Sequence, residues 1–427
     1  MMTHSATSKD LRLRNRAAVL RRMVLDGETT RADLAAACGM SAATVTNVVN
    51  DLIGEGLVAE LGHVPSVGGR PIARLGVVAH GAHVVGADFG EEWVAVKLFD
   101  LGLRRHAEVR VELDRRTVTG EAVASAIRDA LDRFRAEHPE RMASLVGIGL
   151  GLPGIVEHQD DGPFLYAQTL RWRRMPIAEV FDLGDVPVFA DNVAKTLTIA
   201  EHWLGAARGS DEAAVVLVGR GIGAGFINGG RILQGLAGSA GEWGHTKISI
   251  GGPSCQCGSR GCLEAHVGGD AIVRRWLPDE DELAFTGTHG VDRFLAAVAD
   301  EDPRAVRILD DAVEVLGLGL ANLVNMMNPE RIVVGGWLGQ RLMAVRGAEL
   351  ERAVRAHSLA RPAEQVAVVP CQLGEDAIAT GSALLPLDRL INGELRAPWA
   401  AGSGVPSDSG DPPGARPRAT GRPRTED

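Results

Sequence analysis

The stretch that most constrains this chain runs from Gly241 to Gly269 and reads GEWGHTKISIGGPSCQCGSRGCLEAHVGG. Cys255, Cys257 and Cys262 fall within eight residues, and His245 lies ten residues before the first of them. Three thiolates and one imidazole are the soft tetrahedral donor set that a structural zinc prefers. The glycines between them let a short segment wrap a single ion. One structural Zn2+ per chain is therefore expected on His245, Cys255, Cys257 and Cys262, pinning Glu242 and Glu264 on its flanks. The alternative is three reduced core cysteines without metal, but the segment is too polar to be a buried strand. The five cysteines, odd in number and with three clustered, suit a reducing compartment rather than a disulfide framework.

The chain's 427 residues leave room for two or three domains. A formal net charge of −10 argues against a protein coated in nucleic acid, yet allows a small DNA-reading module on an acidic body. The first residues, MMTHSATSKDLRLRNR, contain no apolar leader segment, and no run of eighteen apolar residues suggests a membrane span. The expectation is a cytoplasmic protein with no membrane partner.

Residues 1–80 hold nine Lys or Arg against seven Asp or Glu, so this segment is slightly basic while the whole is acidic. Apolar spacing predicts a short amphipathic helix over residues 15–26, with Ala18, Leu20 and Val24 or Leu25 inward. Gly27 ends it. Thr30 caps a second helix that stops at Gly39, and Ser41 caps a third with Val45, Val48, Val49 and Leu52 as its inner face. Two short helices separated by Cys38-Gly39-Met40-Ser41 make a helix-turn-helix pattern. Leu57 and Val58 open a strand, and residues 63–74 read as a wing returning through a second. In such a module the third helix enters the major groove of double-stranded operator DNA. Ser41, Thr44, Thr46, Asn47 and Asn50 are its candidate contacts to bases or phosphates, with Arg70 and Arg74 reaching from the wing. A helical appendage that binds protein, or only packs on the body, is the bland alternative.

The segments G-E-x-G-H and C-x-C-G-x-x-G-C-x-E resemble the ROK family of repressors, open reading frames and sugar kinases. The resemblance covers roughly residues 10–390. It implies an α/β chain with three parts. Residues 1–80 would form a winged helix-turn-helix. Residues 81–392 would form an actin-like, sugar kinase or hsp70-type ROK domain of two lobes, with its zinc loop near 245–264. Residues 393–427, rich in Gly, Pro, Ser, Arg and Asp, would form a disordered tail. A G-G-R-P wing resembles that of the family's repressors, whereas its kinases lack the module.

Departures from the kinase pattern are specific. Where the kinases have D-x-G-G-T holding ATP phosphates, this chain reads Asp88-Phe89-Gly90-Glu91-Glu92, and two carboxylates would face the phosphates. In PVFADNVAKTLTIAEHW, residues 187–203, Pro187, Val188, Asn192, Ala200 and Glu201 keep register with the kinases. Val193 stands where the resemblance places the catalytic aspartate, the general base toward the attacking sugar hydroxyl. Asp191 is the nearest substitute. Two residues away on a strand, it would share Val193's face but sit about 6–7 Å off. Arg220 replaces a small residue in the second phosphate hairpin.

The sugar-facing positions are better kept: Asn192, Glu242, His245 and Glu264 match family residues that bind sugar hydroxyls. Gly151-Leu152-Pro153-Gly154 resembles the turn beside the sugar, and Trp172 stands at a family tryptophan. The resemblance also puts the zinc loop near the linker to the DNA-binding module. The reading that follows is a DNA-binding regulator, most simply a repressor, controlled by a sugar or sugar derivative and acting as a homodimer or homotetramer. A sugar kinase with an appended DNA-binding domain, and a ligand-independent regulator, are the alternatives.

Overall fold

The computed structural model describes residues 7–64, 71–90, 92–114, 117–159, 162–170, 172–278 and 287–397. The first helix, α1 (Ser8–Asp26), starts well before the expected Asn15. Thr7 and Asp10 explain this: Asp10 N–H donates to Thr7 Oγ1 at 3.2 Å, and Thr7 N–H donates to the Asp10 carboxylate at 2.9 Å. This reciprocal cap adds turns whose outer side chains carry no burial signal. The residues α1 buries are Val19, Leu20, Met23 and Val24, not Ala18.

A two-residue strand, β1 (Thr29–Thr30), leads into α2 (Arg31–Cys38), capped by Thr30 and ended by Gly39 at φ +62°. Ser41 caps α3 (Ala42–Gly54), which buries Val45, Val48, Val49 and Leu52. The axes of α2 and α3 differ by 115°. Strands β2 (Val58–Val64) and β3 (Ile72–Val77) pair antiparallel, and β1 adds to β3 in the order β1-β3-β2. Arg70 lies outside the described residues.

Beyond residue 82 the chain builds one sheet topology twice. The first comprises β4 (His83–Phe89), β5 (Trp93–Asp100), β6 (Arg105–Glu112), α4 (Gly120–Glu137), α5 (Pro139–Ala143) and β7 (Leu145–Leu152). It closes, after a small sheet of β8 (Ile155–Gln159), β9 (Gly162–Ala167) and β10 (Trp172–Pro176) and the short α6 (Ile177–Val180), with β11 (Val188–Asn192). Its order is β11-β7-β4-β5-β6, antiparallel among β4–β6 and parallel from β4 through β7 to β11. Helix α4 covers it with Val123, Ile127, Leu131 and Phe134 fully buried.

After α7 (Val193–Leu204) the second lobe repeats the pattern with β12 (Ala213–Val218), β13 (Ile222–Asn228) and β14 (Arg231–Ile232). Helices α8 (Glu264–Val267), α9 (Gly269–Trp276), α10 (Gly287–Ala299) and α11 (Pro303–Met327) follow, then β15 (Arg331–Gly335), α12 (Trp337–His357), α13 (Ala360–Gln365) and β16 (Ala367–Pro370). The order β14-β13-β12-β15-β16 is again three antiparallel strands and two parallel ones. The last helix, α14 (Ala377–Ile391), returns to the first lobe and packs on β4 and β7. It lies so close that a Cβ at Gly149 would overlap Ser382 O, and one at Gly381 would overlap Thr196 O of α7. Among the described residues, no single helix is long and apolar enough to cross a membrane.

One core runs through both the N-terminal module and the body. Leu20, Met23, Leu34, Val49 and Leu57 cluster with Val84, Phe99, Val146, Trp203, Leu384, Leu387 and Ile391, all nearly inaccessible to solvent. Arg16 donates to the carbonyls of Leu390 and Ile391 at 2.8 and 2.6 Å, and Arg21 pairs with Asp388. Packed chain extends past the expected end at 392: Ala397 is buried, and Leu395 packs on the same cluster. The expected disordered tail lies, from residue 398 onward, outside the described residues.

Candidate functional site

A cleft between the lobes gathers residues from several elements: Asp88 from β4, Gly154 after β7, Asn192 and Val193 at the junction of β11 and α7, and Glu242, His245 and Glu264 from the second lobe. The four residues that the resemblance assigns to sugar thus line a single cavity. Trp93, Tyr166, Gln168, Trp337 and Ile378, none of them named from the sequence, complete its wall. Trp337 was the one with a usable signal, since it follows the Gly335-Gly336 strand end. Trp172 stacks on Phe89 at 5.7 Å between centroids with 16° between planes, so it supports the wall from behind.

Asn192 sits where strand becomes helix. Its Oδ1 accepts from Ala194 N–H at 2.7 Å, capping α7, and its Nδ2 donates to Gly154 O at 2.6 Å. Gly154 has φ +94°, a left-handed conformation costly for other residues. One amide therefore fixes both the helix start and the turn beside the cleft.

The same junction corrects the expected position of Asp191. The strand ends at Asn192 and Val193 is already helical, so Asp191 and Val193 do not share a strand face. Val193 lines the cleft. Asp191 is 3 % exposed and lies 3.7 Å from the ammonium of Lys195, one helical turn on. Lys195 is itself buried, donating to Gln234 Oε1 at 3.1 Å and to Gly238 O. These two charges neutralise each other and anchor the 234–238 loop.

The two candidate phosphate turns hold charges of their own. Arg220, between β12 and β13, donates to Asp270 at 2.7 Å with both side chains mostly buried. Across the cleft, burial raises the carboxyl pKa of Glu92, an effect the Arg220 charge partly offsets. Glu91 lies outside the described residues. At the start of α12 the Trp337 indole packs over Gly219 and Gly269.

The metal donors converge. His245, Cys255, Cys257 and Cys262 place one ligand atom each within 4.8 Å of all the others. His245 Nδ1 is 3.6 Å from Cys255 Sγ, and Cys257 Sγ is 3.7 Å from Cys262 Sγ. Tetrahedral zinc with bonds of about 2.1–2.3 Å needs donor separations of roughly 3.4–3.8 Å, and these two pairs meet that spacing. Burial pushes the Cys255 thiol up to about 12, a cost that a bound divalent cation would remove. Lys247 donates to Cys262 Sγ at 2.9 Å and to Ser259 Oγ at 2.7 Å, giving the thiolates a countercharge. His245 turns its other nitrogen, Nε2, toward Glu242 Oε2 at 3.8 Å. Glu264 Oε2 accepts from Ile222 N–H at 3.0 Å, tying the donor loop to the hairpin.

Among the described residues this loop shares no core residue with the N-terminal module. The loop packs into the second-lobe core through Trp243, Leu263 and Val267. Among the described residues the module's shared core with the body comes instead from α7, α14 and the first-lobe strands. Long-range packing of this kind leaves no local pattern in a sequence.

On the module itself, Thr44, Thr46, Asn47 and Asn50 lie on α3 and Ser41 is its N-cap. Asn47 and Asn50 are exposed. Ser41 is spent on the cap, accepting from Thr44 N–H at 3.2 Å, and Thr46 donates to Ala42 O at 2.8 Å. Asn50 Oδ1 lies 3.5 Å from Arg31, and Arg74 pairs with Glu28 at 3.0 Å. Asp51, beside them, is held by Arg12 of α1 at 2.8 Å, a neighbour that helix periodicity did not reveal.

The ROK family model matches residues 84–389. A xylose repressor of Caldicellulosiruptor bescii is 29 % identical over 334 residues, covering 75 % of this chain and 82 % of that protein. A glucokinase of Halalkalibacterium halodurans is 35 % identical over 281 residues, covering 62 % of this chain and 83 % of the enzyme. Among solved structures, a ROK family transcriptional regulator homologous to the E. coli MLC protein shares the fold. Its TM-score is 0.73 at 24 % identity, covering 90 % of this chain and 97 % of that one.

Proposed function

This chain belongs to the ROK family, and we propose that it is a DNA-binding transcriptional regulator, most simply a repressor, whose cleft senses a sugar or sugar derivative without phosphorylating it. The observation that carries this reading is the α7 start. Val193 lines the cleft at the position the resemblance gives to the proton acceptor, and the neighbouring Asp191 is paired with Lys195. Valine accepts no proton, and a general base must reach hydrogen-bond distance of the hydroxyl it serves.

Residues 7–77 suit a winged helix-turn-helix: the 115° angle between α2 and α3 and the β2–β3 hairpin are its geometry. Asn47 and Asn50 would meet base edges, and Ser41, Thr44, Thr46, Arg70 and Arg74 would meet phosphates or the minor groove. Asn192, Glu242, His245 and Glu264 would hold sugar hydroxyls, with zinc on His245 and the three cysteines fixing the wall. Symmetric operators call for two heads, hence a homodimer or homotetramer.

The route between sites follows α7 and α14. The first begins at the cleft with Val193 and ends with Trp203 beneath Arg21 of α1, 4.4 Å from ring centroid to guanidinium. The second begins beside the cleft at Ile378 and ends at the carbonyls Arg16 holds. A ligand that displaces the cleft end of this pair changes the seat of the head, which couples two sites without catalysis.

Fluorescence anisotropy with DNA from upstream of its own reading frame tests the regulator. Affinity no better than for scrambled DNA at moderate salt refutes it. The kinase alternative draws on the likeness to a glucokinase. Coupled ADP release with hexoses and N-acetylhexosamines distinguishes it, and we expect none above background.

A further inference from the structure

The N-terminal head is short of free positive charge. Over residues 7–64 and 71–77 it carries eight Lys or Arg against seven Asp or Glu. Six of the eight are paired with carboxylates, among them Arg12 with Asp51, Arg31 with Glu60 and Arg74 with Glu28. A phosphate that displaces such a carboxylate leaves its charge beside the duplex. The head's net field therefore stays near one positive charge, on a chain of net charge −10. Cations that neutralise phosphates supply most of a protein's sequence-independent affinity for DNA.

The missing charge stands at the other end of the sequence. Residues 412–425, PPGARPRATGRPRT, hold four arginines and no acid. They contain two Arg-Pro-Arg triplets, at 416–418 and 422–424. Proline has no N–H to donate and disfavours helix at the residue before it. An extended strand bearing arginines suits the minor groove, about 6 Å wide, whose negative potential is strongest where A·T pairs narrow it.

The fold brings this stretch to the head. After α14 the chain passes against α1: a Cβ at Gly393 would lie 3.0 Å from the Leu13 side chain. Leu395 and Ala397 then join the core of Leu20 and Met23. Leu11 and Arg12, next to Leu13 on α1, line a groove with Asn47 and Asn50 of α3. The packed chain thus ends against the helix that flanks the candidate DNA face. Arg416 follows Ala397 by nineteen residues. Nineteen residues span roughly 25 Å as a random coil and about 65 Å at full extension. One turn of duplex is about 34 Å, so the neighbouring groove is within reach.

We propose that residues 412–425 are a second DNA-binding element, which enters the minor groove of A·T-rich duplex flanking the site under the head. This rests on the DNA-binding reading above and adds to it a contact with sequence outside the operator.

Anisotropy on the full chain tests it with two 20-base-pair duplexes, one of alternating A·T and one of alternating G·C pairs, and with the upstream fragment. The parent chain binds the A·T duplex several-fold more tightly than the G·C duplex. Replacing all four arginines (R416Q, R418Q, R422Q and R424Q) abolishes that preference and weakens A·T binding about tenfold at low salt. The slope of log affinity against log salt shrinks by about two to four, since each phosphate contact contributes about 0.9. The matching four lysine substitutions keep most of the slope and lose the A·T preference, which separates groove entry from charge alone. A glutamine variant that binds the A·T duplex within twofold of the parent overturns the inference. An A·T preference retained by the lysine variant overturns the minor-groove assignment. If parent and glutamine variant bind both duplexes equally yet still tell the upstream fragment from scrambled DNA, this inference fails and the regulator reading stands. If no DNA binds at all, both fail.

Discussion

At the scale of single residues, two buried charges make testable demands. Burial raises the Asp88 carboxyl from 3.8 to about 7, with Lys97 and Arg110 only partly offsetting it. The folded chain therefore keeps a proton that the unfolded chain releases between those values. Stability falls as pH rises from about 4 to about 7 and stays lower above. Asp88→Asn should thus raise the melting temperature at pH 8 by on the order of 3 °C, with the gain vanishing near pH 4. A pH-independent difference in calorimetric scans would count against this. Lys195→Ala leaves Asp191 buried and unpaired, at a cost of about 3–5 kcal/mol measurable by urea unfolding. The sequence carried part of this. Cys255, Cys257 and Cys262 could be read because ligands to one ion lie close along the chain. Asp191 was misplaced because a strand-to-helix change at Asn192 reverses which neighbours share a face, and no composition rule marks that residue.

At the scale of elements, the 245–264 loop and the α7–α14 pair carry different burdens. Little regular structure lies between Thr246 and Leu263 beyond the bridges Lys247–Cys262 and Ser254–Arg260, so a metal bound there would supply much of the loop's order. Cys257→Ser should lower zinc from about one per chain to near zero by elemental analysis, with new proteolytic cleavage inside the loop. The helix pair predicts a separable effect. Arg21→Gln removes the contact over Trp203 and the pair with Asp388 at the surface. DNA affinity without effector should stay within about twofold, while the effector's influence on it shrinks, since interactions of this kind are worth about 0.5–2 kcal/mol. Effector-linked anisotropy titrations read both quantities. The helices themselves were visible from their caps and apolar stripes. Their meeting was not, because Arg16 finds its carbonyl partners 374 and 375 residues away.

At the scale of the whole molecule, the twice-built sheet and the shared core decide how the parts move. Each lobe sends its closing helix toward the other: α7 leaves the first-lobe sheet and packs on β12 and β13, and α14 returns to β4 and β7. Lobe movement must therefore pass through the helices on which the N-terminal module rests. The duplication was only hinted at in the sequence, since strand order depends on pairings that local patterns do not encode. Because Leu20, Met23 and Val49 share one interior with Leu384 and Leu387, the head has no slack of its own. Two copies side by side would behave as a caliper whose jaws are set by the two-lobed bodies. Five extra base pairs between half-sites, about half a turn of duplex, should then abolish cooperative binding, whereas ten should restore much of it. Gel-shift titrations on such spacer variants would read the caliper's opening directly.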